Sequence, residues 1–130
     1  MEYPDDILYS KDHEWIKIED DFVFIGITNF AQRELGDIVY VEIETLGEKL
    51  NQNDVFGTIE AVKTVSDLFL PLSGEIIEIN PKIISNPELV NDVPFGDGWL
   101  AKIISTENKR DEEISELLLN VEYMSLIGIE

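Results

Sequence analysis

The residues able to do chemistry are few. The stretch Glu60–Asp67 reads Glu-Ala-Val-Lys-Thr-Val-Ser-Asp, with Lys63 set among valines and threonine and carboxylates at both ends. The chain has no cysteine and one histidine, His13. The lack of cysteine excludes disulfides, thiolate nucleophiles and Cys-based zinc or iron–sulfur centres. A single histidine suits neither a His-rich metal site nor a Ser-His-Asp triad, and no metal ligand set is expected. No G-x-S-x-G elbow, G-x-x-x-x-G-K-[ST] loop or Rossmann glycine fingerprint is present. What remains is the amine of Lys63. An exposed lysine amine stays protonated near neutrality and is a poor catalyst. On its flexible four-carbon stem it is a good substrate for acylation by another enzyme. Either the chain binds, or it carries chemistry that is not its own.

The elements around Lys63 must present it. The run Val55–Leu70 reads as sheet almost throughout, yet strands rarely pass ~10 residues, so the chain has to bend within it. The residues usual in a tight hairpin, Asn-Gly or Asp-Gly, are missing there. Such a break of a local rule is expected at functional sites. Upstream, Trp15–Glu19 and Phe22–Thr28 alternate as two strands of a hairpin around Asp20-Asp21. Asn29–Leu35 reads as a short helix capped by Asn29 and stopped by Gly36. Ile38–Ile43 and Val55–Val62 are further strands. Leu35–Val41 resembles Ser73–Ile79, and Val55–Ile59 matches Trp99–Ile103 in role. That suggests two similar β-halves linked near Ala61–Ser66. Thr106–Asn120 has its acids early and Ile114, Leu117 and Leu118 at helical spacing, and Val121–Ile129 adds a second helical piece. Trp15 and Trp99 are expected in the core, and Asp111, Glu112 and Glu113 as solvated helix-start charges.

The bulk figures agree with one mostly-β domain over residues 1–130. Its β core spans about 14–104 and its C-terminal helical segment about 106–127. At 44% apolar the chain is too hydrophobic for disorder. A net charge of −19 repels nucleic acid and anionic membrane and favours basic partners. No apolar run nears the ~20 residues of a membrane helix. The acidic N-terminal stretch is neither a signal peptide nor a transit peptide. The expected location is a bacterial cytoplasm, or a mitochondrial matrix if a presequence was removed.

Glu60–Asp67, followed by Pro71-Leu72-Ser73-Gly74-Glu75, closely resembles the lipoylation site of the glycine cleavage system H proteins. Three further blocks resemble that family in order: Tyr9–Trp15; Gly26–Gln32 with Leu35–Val39; and Asn86–Asp92 with Gly96–Leu100. The resemblance implies a barrel-sandwich hybrid of two small antiparallel sheets, of the lipoyl/biotinyl-carrier type, with short helices and a C-terminal helix. It implies lipoic acid in amide linkage on Lys63, with Glu60 and Gly74 guiding the lipoylating enzyme. It also implies a surface cleft into which the loaded arm folds. Glu14 and Asp67 occupy the matching positions, and a carboxylate there could hold the arm's terminal ammonium by a charge-assisted hydrogen bond. Glu44, where the family often has proline, and Thr64-Val65, where it has smaller residues, depart from its pattern.

By resemblance, the chain is a non-catalytic carrier. A pyridoxal-phosphate glycine decarboxylase loads its arm with an aminomethyl group. An aminomethyltransferase passes the one-carbon unit on, and dihydrolipoyl dehydrogenase reoxidises the dithiol. A lipoate ligase or lipoyltransferase attaches the group. A shuttle that must visit several active sites is expected to be a monomer. The alternative within the family is a lipoyl relay that donates lipoate to 2-oxo acid dehydrogenase complexes. A biotin carrier would show methionines beside the lysine, where this chain has Val62 and Thr64. A 2-oxo acid dehydrogenase lipoyl domain usually has aspartate before it.

Overall fold

A computed structural model describes residues 2–129. Two antiparallel sheets face each other across the main core. The larger is built from β1 (Leu8–Tyr9), β2 (Glu14–Glu19), β3 (Phe22–Ile27), β9 (Ala101–Ser105), β8 (Gly74–Ile79) and β5 (Lys49–Leu50), in that order. The smaller holds β4 (Ile38–Glu42), β6 (Val55–Ala61) and β7 (Val65–Phe69), with β6 central. Among the described residues there are also five short helices: α1 (Asn29–Leu35), α2 (Pro81–Ser85), α3 (Leu89–Asp92), α4 (Glu107–Ile114) and α5 (Asn120–Leu126). This is the mostly-β architecture expected, although the sheets are unequal.

Period-two burial builds the core. Val23, Ile25 and Ile27 of β3 point inward and meet Phe56, Ile59 and Leu68 of the smaller sheet. The β2–β3 hairpin turns at Asp20, which takes a φ of +56°, a left-handed conformation that a short polar residue tolerates. The two halves read in the sequence do share a feature. β4 and β6 slip register between Ile38 and Tyr40, and β8 and β9 between the matching Ile76 and Glu78. The second pair of segments aligns differently from the sequence match. Ile38 faces Ala61 and Ile76 faces Ile103, so Ile59 corresponds in place to Ala101 and not to Ile103.

Three expectations need correction. The helix-like spacing over Thr106–Asn120 does not yield one helix. α4 ends at Ile114, because Leu118 leaves the helical path to exchange two backbone hydrogen bonds with Tyr9, of 2.7 and 2.9 Å. Glu113 is not a solvated charge. It is buried and accepts from the Ser73 backbone N–H (2.8 Å) and hydroxyl (2.6 Å), tying α4 to the start of β8. Trp15 is core, donating Nε1–H to the Pro94 carbonyl at 2.8 Å, but Trp99 is only half-buried, edge-on to Phe24.

A second apolar cluster was not foreseen. Tyr3, Ile7 and Tyr9 of the N-terminal stretch pack with Trp15 and with Tyr123 of α5. The rings of Tyr9 and Tyr123 stack at 4.9 Å. Acidic neighbours concealed these aromatics in the composition of that stretch.

Candidate functional site

Lys63 stands at the tip of the β6–β7 hairpin. Glu60 faces Val65 in register, and Ala61 N–H donates to the Thr64 carbonyl at 2.8 Å. None of the residues from Glu60 to Asp67 has a positive φ. The turn is therefore made in right-handed and extended conformations that a valine can adopt, which is why it needs neither glycine nor asparagine. The tip is fixed from the side: Val62 N–H donates to the Asp37 carbonyl at 3.0 Å. Asn91 of α3 in turn clamps the segment around Asp37. Its amide donates to the Gly36 carbonyl (2.9 Å), and its carbonyl oxygen accepts from Ile38 N–H (2.8 Å). Gly36 ends α1 at a φ of +83°, and a Cβ built there would lie 3.5 Å from Lys63 Cε, so the lysine stem passes beside a residue without a side chain. The amine makes no hydrogen bond or ion pair with the described residues. Val62 and Val65 beside it are 75% and 61% exposed.

The hairpin borders a cavity of about 350 Å³. Its apolar wall comes from Ile27, Phe30, Leu35, Ile59 and Leu68, and its polar side from His13, Glu14, Glu34 and Asp67. Glu14 and Asp67 both line this cavity, in very different settings. Asp67 is exposed on β7. Glu14, which could have been an exposed strand-end charge, is 2% exposed. Its Oε2 accepts from Phe69 N–H of β7 at 3.1 Å, and its Oε1 from the Ser10 hydroxyl at 3.3 Å. The carboxyl therefore spans the two sheets. Burial pushes its pKa well above the usual carboxylate range, the Asp12 charge adds to this, and the two donors oppose it.

That direction fixes a stability effect. A group whose folded pKa lies above its unfolded one favours the native state on the acid side, and the benefit is lost as pH rises through the raised value. Raising the pH through that value therefore withdraws stability that an uncharged side chain would keep. Glutamine can still accept from Phe69 N–H and donate to Ser10 Oγ. Glu14→Gln is expected to raise the melting temperature at pH 7.5 by roughly 4 °C per kcal/mol regained, and by less at pH 5. Thermal denaturation at both pH values checks this, and a variant that melts below the wild type at pH 7.5 would contradict it.

The two residues assigned to the lipoylating enzyme do not lie together. Glu60 is exposed on β6, three positions before Lys63. Gly74 is buried in the larger sheet, opposite Ser105 and Leu50. A Cβ there would overlap the Ile104 carbonyl oxygen and lie 3.0 Å from its carbon.

His13 is built firmly into the cleft wall. It holds a φ of +68°, unusual for a residue with a Cβ. Its Nδ1 lies 2.9 Å from the Tyr123 hydroxyl, and its ring packs 4.9 Å from Phe30. Burial lowers its pKa, against the raising effect of Asp12 and Glu34. The cap of α1 is Thr28 and not Asn29: Thr28 Oγ1 accepts from Ala31 N–H at 3.2 Å. Sequence reasoning missed Asn91, Thr28 and Tyr123 as supports of the site. Asn91 gives no local signal of its contact with the Gly36–Ile38 segment, and Tyr123 reaches His13 from 110 residues away in the chain.

Comparison with known proteins gives these features a context. The family model described as Glycine cleavage H-protein matches residues 7–127. The glycine cleavage system H protein of Bacteroides fragilis is 55% identical over 103 residues, 79% of this chain and 82% of that protein. That of Staphylococcus epidermidis (strain RP62A) is 46% identical over 128 residues, 98% of this chain and 99% of its own length. The crystal structure of a glycine cleavage system H protein from Mycobacterium marinum superposes with a TM-score of 0.87. It is 37% identical, and the match covers 97% of this chain and 99% of that one.

Proposed function

The chain belongs to the glycine cleavage H-protein family, the lipoyl-bearing shuttles of the glycine cleavage system, and from that premise we propose that Lys63 bears the lipoyl group and that the cleft beside it receives the loaded arm. The family is a carrier family that works with the other components of its system. The observation that carries the reading is the placement of a free amine at an exposed tip beside an apolar cleft with a buried carboxyl. The residues suit the group: Ile27, Phe30 and Leu35 match an aliphatic chain, and Glu14 and Asp67 match a terminal cation. The lipoyl group supplies the redox-active sulfur that a chain without cysteine lacks.

The chain's own residues hold and orient. The hairpin fixes where the arm starts, because Asp37 and Asn91 anchor the tip. The arm itself is long and flexible, so tethering converts each partner visit into an encounter at high effective concentration. Glu14 is costly to ionise while the cleft holds no cation. An ammonium beside it would stabilise the carboxylate, since opposite charges at close range favour the charged forms. Asp67, near the mouth, adds a second negative charge. Phe30 and Leu35 limit access of water to what the carboxylates hold. Glu60 is the accessible recognition residue for the lipoylating enzyme, and Gly74 contributes by keeping β8 against β9.

The chain acts without catalysing a step itself, in the bacterial cytoplasm and as a monomer. Its partners are the pyridoxal-phosphate glycine decarboxylase, the aminomethyltransferase, dihydrolipoyl dehydrogenase and a lipoate ligase or lipoyltransferase. Among the described residues no helix is long and apolar enough to cross a membrane. The test is reconstitution. Glycine-dependent NADH formation should need the lipoylated chain together with all three partner enzymes, and omitting any one should abolish it. Turnover that persists without a partner would overturn the carrier reading.

A further inference from the structure

We propose that Tyr123 of α5 is a positioning residue for the arm cleft: its hydroxyl relays a hydrogen-bond chain from the cap of α1 to His13 and so fixes the histidine tautomer with its proton on Nε2. The argument starts from three measured contacts. Ala31 N–H reaches Thr28 Oγ1 at 3.2 Å, Thr28 Oγ1 lies 2.7 Å from Tyr123 Oη, and Tyr123 Oη lies 2.9 Å from His13 Nδ1. Thr28 and Tyr123 are both fully buried. A hydroxyl has one proton to give, and a buried donor left without an acceptor is costly.

Three proton arrangements place a proton in each contact, and the one in which Thr28 and His13 both donate to Tyr123 leaves the tyrosine proton without an acceptor among the contacts it makes, so two remain to be compared. In the first, Thr28 donates to Tyr123 and Tyr123 donates to His13 Nδ1. Every hydroxyl proton is used, and the imidazole must carry its proton on Nε2. In the second, His13 Nδ1–H donates to Tyr123 and Tyr123 donates to Thr28. Thr28 Oγ1 then accepts twice, and its own proton has no acceptor among the contacts it makes. Polar satisfaction selects the first. The chain is directional: Ala31 N–H to Thr28, Thr28 to Tyr123, Tyr123 to His13.

The relay has consequences for the cleft because both of its ends line it. Ala31 and Phe30 belong to α1, and His13 precedes Glu14 in the chain. His13 is held in a left-handed backbone conformation between two backbone bonds, Thr28 N–H to its carbonyl (3.0 Å) and its own N–H to Ser10 (3.1 Å). Backbone of this kind persists only where its surroundings fix it. α5 thus braces the cleft wall from outside the β core, which gives the C-terminal helix a task beyond packing. This inference rests on the cleft being the arm's resting place.

The test uses the full chain, lipoylated and loaded. His13 is the sole histidine, so long-range 1H–15N correlation of the imidazole reports its tautomer without ambiguity. The wild type should show the Nε2–H form, and Tyr123→Phe a mixture of tautomers. Thr28→Ser, which keeps a hydroxyl and the cap, should behave as the wild type. A wild-type Nδ1–H tautomer, or an unchanged one in Tyr123→Phe, would overturn the relay, and the wild-type spectrum decides even if the phenylalanine variant folds poorly. The second readout is hydrolysis of the loaded arm, in which water cleaves the aminomethyl thioether to one thiol, formaldehyde and ammonium. Its lifetime should fall about fivefold in Tyr123→Phe, the effect of one neutral hydrogen bond. An unchanged lifetime there overturns the positioning role, whatever Glu14→Gln does. An unchanged lifetime in Glu14→Gln overturns instead the carboxylate reading of the cleft.

Discussion

Lys63→Arg will carry no lipoyl group and support no glycine cleavage. Coexpressed with a lipoate ligase, the wild type will gain a single lipoyl increment in intact mass, and peptide mapping will place it on Lys63. The variant will keep its unmodified mass. Arginine keeps the positive charge and the length of the stem, but its guanidinium is always protonated and offers no free amine to acylate. The fold should not notice the change. The Lys63 amine has no partner among the described residues, and surface substitutions away from special features usually stay within about ±0.5 kcal/mol. Loss of flux with an unchanged melting temperature therefore separates a missing arm from a damaged protein. An increment on another lysine would refute the site, and a biotinyl increment would move the chain to carboxylase chemistry.

Gly74→Val is expected to destabilise the chain strongly, although residue 74 lies in a different sheet from Lys63. The added Cβ would overlap the Ile104 carbonyl oxygen and come within 3.1 Å of Ser105 Cα, both backbone atoms of the paired strand β9. A side-chain clash can relax by rotating a bond, but this one requires β8 and β9 to separate. The same corner holds the buried Glu113 carboxylate against Ser73, so the strand cannot shift without breaking those bonds. Overpacking commonly costs about 1–3 kcal/mol and sometimes more, and a valine here should lie at or above the upper end. Glu60→Ala is the control: Glu60 is exposed and should leave the melting temperature unchanged while slowing lipoylation. Denaturation and lipoylation rates on both variants divide the roles. A stable Gly74→Val protein that resists lipoylation would show that the glycine is read by the enzyme, and that the strand contact is not its main requirement.

Much of this was legible in the sequence. The β2 and β3 strands and their turn at Asp20-Asp21, the short helix ended by Gly36, and the bend at Lys63 all rest on local signals: alternation, caps and breakers act over a few residues. Residue type singled out Lys63, because the chain offers so few reactive side chains, whereas Glu60, Gly74, Glu14 and Asp67 came only from the family resemblance. The errors arose where partners far apart in sequence meet. Leu118 looked helical until Tyr9 claimed its backbone groups. Glu113 looked like a surface acid until Ser73 came to it.

What the sequence determined by itself, then, was the lysine and the turn that exposes it. Tertiary structure decided what surrounds the cleft. It buried Glu14 between two sheets, so that an ordinary carboxyl became one that resists ionisation. It brought Tyr123 to His13 across 110 residues. It also placed Gly74 against a neighbouring backbone. Burial, dielectric environment and the pairing of polar groups belong to the packed molecule, and no window of residues along the chain encodes them locally.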